Sequence, residues 1–276
     1  MLAYLQEDLR HALAIGSHRD QVSANGRSWL RYWALIAGLM GIVLFAACGY
    51  QAGFLRINGA ATQAPAWLWQ WLTLLGDERV ALAAALFFSR TRPRIFWSLL
   101  VSGGIALFYT HLLKQGIAAP RPPAVLRPDQ FSLLGPALKK NSFPSGHTVT
   151  ATLFFGVWIA FLKSVPQRCL LTCLALLAGL SRIALGVHWP VDVAAGLFGG
   201  ASSAWLGLYW ADRWAWGFRN PMVHLGLLLP CIAAAISLIF WDRGYTEAAL
   251  PQQLLGILAL IAAFYRYLFQ PIRKRS

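Results

Sequence analysis

The stretch Ser181-Arg-Ile-Ala-Leu-Gly-Val-His-Trp-Pro-Val-Asp192 stands between two strongly apolar runs, and its reading decides the fold. The flanking segments, 168–187 and 190–211, are each long enough to cross a bilayer as a helix. An arginine, a histidine and an aspartate are costly at such a junction unless they are used. The stretch therefore reads as a site at a turn between two membrane helices.

Composition extends that reading to the whole chain. Of 276 residues, 58% are apolar and only 12% charged, and the mean hydropathy is +0.53. Soluble domains carry about 25% charged residues. The fold class is an all-α, polytopic membrane helix bundle. Eight candidate spans follow from the apolar runs: 31–54, 77–90, 94–115, 146–163, 168–187, 190–211, 222–241 and 251–269. The second is short and opens on Asp77-Glu78-Arg79. Residues 66–75, with Trp67, Trp69 and Trp71, form an aromatic segment of the kind found at membrane interfaces.

The first sixteen residues place Leu2, Leu5, Leu9 and Leu13 on one helical face, which predicts an amphipathic helix lying on the membrane surface. Acidic residues so early, with no cleavage site behind a short apolar core, argue against a removed signal peptide. The chain divides into an N-terminal segment 1–28, a six-span core 29–215 and a two-span extension with a basic tail, 216–276. Cys48, Cys169, Cys173 and Cys231 fall in or beside apolar runs, which predicts buried free thiols and no disulfide framework.

The net charge is +14, and its placement points to the membrane and not to nucleic acid. Fifteen of the 24 Lys and Arg residues fall on one side of the span pattern, among them Arg90, Arg92, Arg94, Arg213, Arg219 and the C-terminal Arg273, Lys274 and Arg275. By the positive-inside rule that side, with both termini, is cytoplasmic. The longest polar connection, 116–145, lies opposite and contains six prolines, at 120, 122, 123, 128, 136 and 144, which exclude a continuous helix.

Three short motifs fall at matching helix ends. Lys114 and Arg121-Pro122 follow the third span, and Pro144-Ser145-Gly146-His147 opens the fourth. Arg182 ends the fifth, and His188 with Asp192 opens the sixth. Consecutive spans alternate in direction, so both hairpins bring their groups to one face. Lys114, Arg121 and Arg182, with the backbone N–H groups of Ser145 and Gly146 at a helix start, form a cradle for a tetrahedral polyanion, most naturally phosphate. In the first turn after Pro190, Asp192 can reach back to the His188 imidazole and fix its tautomer, leaving the other nitrogen free to attack phosphorus. His147 has no acid nearby in sequence and is the candidate acid and base.

These motifs together resemble the complete three-part signature of the type 2 phosphatidic acid phosphatase family, which shares its site with vanadium haloperoxidases. The resemblance covers roughly residues 70–211. It implies a metal-independent reaction without cofactor, through a phosphohistidine on His188 assisted by Asp192, with His147 protonating the leaving group. It also implies that Lys114, Arg121, Ser145, Gly146 and Arg182 hold phosphate on the side away from the cytoplasm, in a bacterial inner membrane. Membrane members of the family usually have six spans, so the last two form an extra hairpin for packing against the core, shaping the lipid groove or making an oligomer contact. Independently, the acids on the site face, Asp77, Glu78, Asp129, Asp192, Asp242 and Glu247, are scattered, and two-metal chemistry needs clustered carboxylates.

The implied substrates are phosphatidic acid, phosphatidylglycerol phosphate, undecaprenyl pyrophosphate or phosphorylated lipid A. A lipid-to-lipid phosphotransferase would use the same site. An anion transporter would need broken helices near the midplane, whereas these charges sit at helix ends. His111 reads as structural or interfacial, with the substrate entrance as the alternative, and His224 reads as structural. Gly196, Gly199 and Gly200 read as packing positions, and Lys139 and Lys140 fit either headgroup or lipid contact.

Overall fold

A computed structural model describes residues 2–275. The side chains of Leu2, Lys274 and Arg275, assigned above to the amphipathic face and the basic tail, lie outside the described residues. In chain order the helices are α1 (Leu2–Arg19), α2 (Ala24–Cys48), α3 (Phe54–Ala61), α4 (Ala66–Leu74), α5 (Glu78–Ala85), α6 (Pro93–Ile117), α7 (Pro122–Val125), α8 (Gly146–Phe161), α9 (Val165–Ala184), α10 (Pro190–Arg213), α11 (Trp216–Arg219), α12 (Pro221–Phe240) and α13 (Ala249–Phe264). A π-helical turn, Tyr265–Phe269, leads into α14 (Gln270–Arg275).

Six helical segments, built on α2, α6, α9, α10, α12 and α13, are long and apolar enough to cross a membrane, and α8 is a shorter apolar helix. Their outward faces carry large apolar side chains, such as Leu35, Ile42, Leu107, Phe108, Leu229 and Phe240, as lipid contact requires. The chain is an integral membrane protein. The second candidate span, 77–90, is corrected. Its helix is only eight residues, about 12 Å at 1.5 Å per residue. A run of turns completes the passage from Asp77 at the site end to Arg92 at the other end.

At the centre stands α10, packed on α2, α8, α6 and α9. Lipid is as apolar as leucine, so helix association in membranes depends on close fit, which small residues allow. A methyl on Gly199 would meet the Tyr109 ring at 2.1 Å, and one on Gly200 would meet the Thr152 Cβ at 2.6 Å. The glycines expected to serve packing do so. Gly196 does more, because its missing side chain makes room for Thr148 Cβ and the Ser145 carbonyl at the start of α8.

The N-terminal helix differs from its expectation. Leu9 and Leu13 are buried against the protein itself, since α1 packs on α6, α11 and α12. Asp8 pairs with Arg90, which gives that early acidic residue a partner within the protein. The same end carries other ion-paired arginines: Arg27 and Arg94 each reach Asp212 at 2.6 Å, and Arg92 reaches Asp20 at 3.0 Å. All four cysteines are free, but only Cys231 is buried in the protein. The other three occupy outward faces, because an apolar run in a membrane helix faces lipid as well as core.

Candidate active site

The opposite end of the bundle gathers the ends of α6 and α9 and the starts of α8 and α10. The long connection 116–145 crosses it with α7 as its only helical turn among the described residues. Asn58 pins this connection, donating to the carbonyls of Ser132, Ile183 and Ala184 while its own oxygen accepts from the Ser132 N–H at 2.8 Å. Gly186, at φ +78°, lets Ser132 and Phe131 pass close to the α9–α10 turn; a Cβ there would meet the Ser132 carbonyl at 2.5 Å. The polar connection is thus fastened directly over the stretch 181–192.

His188 and Asp192 lie in that turn, 2% and 0% exposed. Pro190 starts α10, and Asp192 in its first turn accepts from the Trp189 N–H at 2.9 Å, which fixes the carboxylate beneath the imidazole. His188 Nδ1 is 3.2 Å from Asp192 Oδ2, and Arg121 Nη1 donates to His188 Nε2 at 3.0 Å. An arginine cannot accept, so the network assigns the proton to Nδ1 and the lone pair to Nε2. Burial, then the positive charges of Arg121, Arg182 and Lys114, hold the His188 pKa well below the ordinary imidazole value, so the ring is neutral at pH 7.

Arg121 is 7% exposed and uses its whole fork: Nε donates to the Lys140 carbonyl at 2.8 Å, Nη1 to that of Val187 at 3.1 Å and Nη2 to that of Asn141 at 3.3 Å. The backbone N–H of Arg121 also donates to the Lys139 carbonyl. The backbone of Lys139 and Lys140 therefore holds Arg121, while both side chains remain exposed. Arg182, 2% exposed, donates through Nη1 to Thr73 Oγ1 at 2.6 Å and to the Tyr245 hydroxyl at 3.0 Å. Its Nε is buried with no partner among the described residues. Lys114 is half-buried, and a Cβ placed on Gly146 would lie 3.8 Å from its Nζ, so the lysine stands over the start of α8.

One expectation at that helix start is corrected. The Ser145 N–H donates to the Asp192 carbonyl at 3.1 Å, and the Ser145 hydroxyl caps α8 by accepting from the Thr148 N–H and hydroxyl. Ser145 locks α8 to α10, and its backbone N–H is not free for a ligand. Gly146, at the first helical position, retains the outward N–H that helix starts leave unpaired. His147 follows on α8 and makes no side-chain hydrogen bond among the described residues. Gly76 passes so close to its backbone that an added Cβ would meet the His147 carbonyl oxygen at 2.5 Å. His111 is exposed and outside this network, and His224 is buried at the far end, 2.8 Å from the Tyr267 hydroxyl.

Sequence reading missed several members of the site. Tyr50, between α2 and α3, hydrogen-bonds Asp192 Oδ1, and Ser142 donates to Asp192 Oδ2. Thr73 and Tyr245 hold Arg182. None lies within a few residues of a motif residue except Ser142, two before Pro144, so no local pattern marks them.

The fold and this end of it define a class: a helical membrane bundle with two histidines and three cations gathered around a buried, hydrogen-bonded carboxylate. Residues 95–216 match the PAP2 superfamily, whose signature the three motifs resemble. It is 34% identical over 129 residues to the lipid A 1-phosphatase of Rhizobium johnstonii, covering 46% of this chain and 49% of that one. It is 36% identical over 115 residues to the undecaprenyl-diphosphatase of Sulfolobus acidocaldarius, covering 41% and 53%. The crystal structure of Aquifex aeolicus LpxE superposes with a TM-score of 0.52 at 29% identity, over 56% of this chain and 92% of that one. The chain spans about half the length of the curated relatives it matches first.

Proposed function

We propose that the protein is a lipid phosphate or pyrophosphate phosphatase that removes a terminal phosphate through a phosphohistidine on His188. The observation that carries this reading is the buried Arg182 Nε without a partner, beside Arg121 and Lys114, around a neutral His188. Three cations converge beside a buried carboxylate, Asp192, that is already engaged by hydrogen bonds, so the charge that would complete the site is that of a polyanion. Relatives named for lipid A and undecaprenyl diphosphate support a lipid substrate. A site at the membrane end of the bundle suits a tail that stays in the bilayer.

In this mechanism the phosphate displaces the Arg121 Nη1 contact from Nε2. Arg121, Arg182, Lys114 and the Gly146 N–H bind its non-bridging oxygens, while the Ser145 hydroxyl holds the helix start in place. The Nε2 lone pair forms the P–N bond as the P–O bond to the lipid breaks. His147, which takes up a proton when the bound phosphate offsets the surrounding cations, gives that proton to the departing oxygen. Asp192 keeps Nδ1–H oriented and stabilises the positive charge that develops on the ring. Neutral His147 then takes a proton from water, whose oxygen attacks phosphorus and releases His188 and inorganic phosphate. The positive-inside pattern supports a site on the side away from the cytoplasm, and the bacterial relatives support an inner-membrane location.

Replacing His188 with Ala should abolish both phosphate release from phosphatidic acid, phosphatidylglycerol phosphate, undecaprenyl pyrophosphate or lipid A and trapping of the phosphoenzyme. Phosphate release by H188A within about tenfold of the parent would end the mechanism, since loss of a nucleophile costs several orders of magnitude. Purified protein given one lipid and water should release inorganic phosphate steadily. Phosphate appearing only on an added acceptor lipid would instead identify a phosphotransferase.

A further inference from the structure

The α12–α13 hairpin lies outside the family segment, yet its loop enters the candidate site. Tyr245, in that loop, is 7% exposed. Its hydroxyl accepts from Arg182 Nη1 at 3.0 Å, and the guanidinium carbon stands 5.8 Å from its ring centroid. Thr73 accepts from the same nitrogen at 2.6 Å, so α4 and the hairpin loop grip one nitrogen of the fork together. What remains of the fork is the unpartnered Nε side.

The loop is itself held. The Asp242 carboxylate accepts from the N–H groups of Gly244 and Tyr245 at 2.8 and 3.3 Å, and Gly244 turns the chain at φ +82°. Arg243 pairs with Glu78 and lies 3.6 Å from Asp77 Oδ2. Trp71 donates to the Glu247 carbonyl at 2.8 Å, and the Glu247 N–H donates to Gln70 at 2.9 Å, which ties the loop to the helix that bears Thr73. On the other side Gly135, at φ +104°, lies against the Tyr245 ring; a Cβ there would approach Cε1 to 2.6 Å. The ring is clamped, and its hydroxyl is aimed at Arg182.

We propose that Tyr245 is a positioning residue that sets the Arg182 guanidinium for phosphate, and that the hairpin thereby completes the site. The inference rests on reading the site as phosphate-binding. A long arginine side chain loses rotamer freedom when it grips a ligand; a fork fixed beforehand has already lost it, so affinity for the bound phosphate is higher. The contribution therefore appears in phosphate affinity first.

The test uses the full chain purified in detergent, with Tyr245→Phe and Tyr245→Ala beside the parent. Two quantities are measured: KM and kcat for a short-chain phosphatidic acid, and the affinity for inorganic phosphate from the rise in Tm with phosphate concentration. Phenylalanine keeps the ring between Gly135 and the hairpin and removes only the hydroxyl. Y245F should raise KM and weaken phosphate binding roughly tenfold, the loss expected for one hydrogen bond to a charged group, with kcat changed less than KM. The Tm without phosphate should stay near the parent value. A Y245F variant whose KM and phosphate affinity lie within twofold of the parent would overturn the proposal and leave the ring as packing only. If the parent hydrolyses no lipid phosphate, the assigned activity fails, and the binding measurement alone decides on Tyr245. A parent that binds no phosphate overturns both.

Discussion

The carboxylate of Asp192 accepts from four donors: the Tyr50 hydroxyl on Oδ1, and the Ser142 hydroxyl, the Trp189 N–H at 2.9 Å and His188 Nδ1 at 3.2 Å on Oδ2. Consider Asp192→Asn. The Trp189 N–H cannot turn around, so the asparagine oxygen must take the Oδ2 position and its NH2 must face Tyr50. The Tyr50 hydroxyl can rotate to accept. Every partner is then still served, and the fold and the His188 tautomer survive, but the negative charge is gone. Hydrogen bonds to charged groups contribute about 1.5–3 kcal/mol and neutral ones about 1. In the proposed phosphohistidine mechanism the bond that matters for rate is the one to His188, which strengthens as the ring becomes positive. Weakening it from about 2–3 kcal/mol to about 1 kcal/mol slows phosphoenzyme formation by roughly 5- to 30-fold. Single-turnover trapping of the phosphoenzyme measures that rate, and KM should change little. Tyr50→Phe should cost less in the asparagine background than in the parent, because its hydroxyl no longer supports a charge. A D192N variant retaining more than a third of the parental rate, or one that fails to fold, would refute this account of the carboxylate.

His188 stays neutral below the ordinary imidazole range because burial and the nearby cations oppose its proton. The reactive neutral form is therefore lost only as pH falls below about 6.5, and an acid limb of kcat/KM at or above that value would contradict the site's electrostatics. Arg121→Lys removes a fork that serves three carbonyls and His188 Nε2. A single ammonium cannot reach them all, so KM should rise at least about tenfold and stability should fall by about 1–3 kcal/mol, both read on purified protein. Gly196→Ala would drive a methyl into Thr148 Cβ at 2.6 Å and the Ser145 carbonyl at 2.9 Å, while Gly103 has nothing within 4 Å of the added atom. Lowered Tm and activity for G196A, with G103A close to the parent, is the expected pair; the reverse order would place the helix contact elsewhere.

What was legible in the sequence was whatever repeats locally. Apolar runs gave the long helices, and three motifs at helix ends, combined with alternating span direction, brought Lys114, Arg121, His147, Arg182, His188 and Asp192 to one end. The Asp192-to-His188 pairing was visible because four residues at a helix start make one turn. Ser145 was half legible: a serine before Gly-His signals a cap, but that its N–H serves the Asp192 carbonyl depends on how α8 meets α10. Tyr50, Thr73 and Tyr245 were not legible, since each acts across 63 or more residues of sequence on a partner chosen by packing. The short second limb was misjudged for a related reason: composition shows that a stretch is apolar, not that it stays helical to the far side.

That limb also gives the last two helices a reason to exist. After α5, residues 86–92 continue as turns whose N–H groups bond mostly three residues back, as Leu86 does to Ala83 and Phe87 to Ala84. Irregular backbone at membrane depth is tolerated only where protein covers it. Here α12 and α13 supply the cover: Leu228, Cys231, Ala235, Leu238, Ala259 and Ala263 form one buried cluster with Ala83, Ala85, Leu86 and Phe96. Ser89 hydrogen-bonds the Tyr267 hydroxyl at 2.8 Å, which His224 also reaches, so the hairpin satisfies polar groups there as well as apolar ones. A division of the chain at 215/216 therefore cuts through a shared core. The hairpin that shields the broken limb at depth is the same one whose loop carries Tyr245 to Arg182, so a chain ending at 215 should lose the limb's packing and the hold on that arginine together.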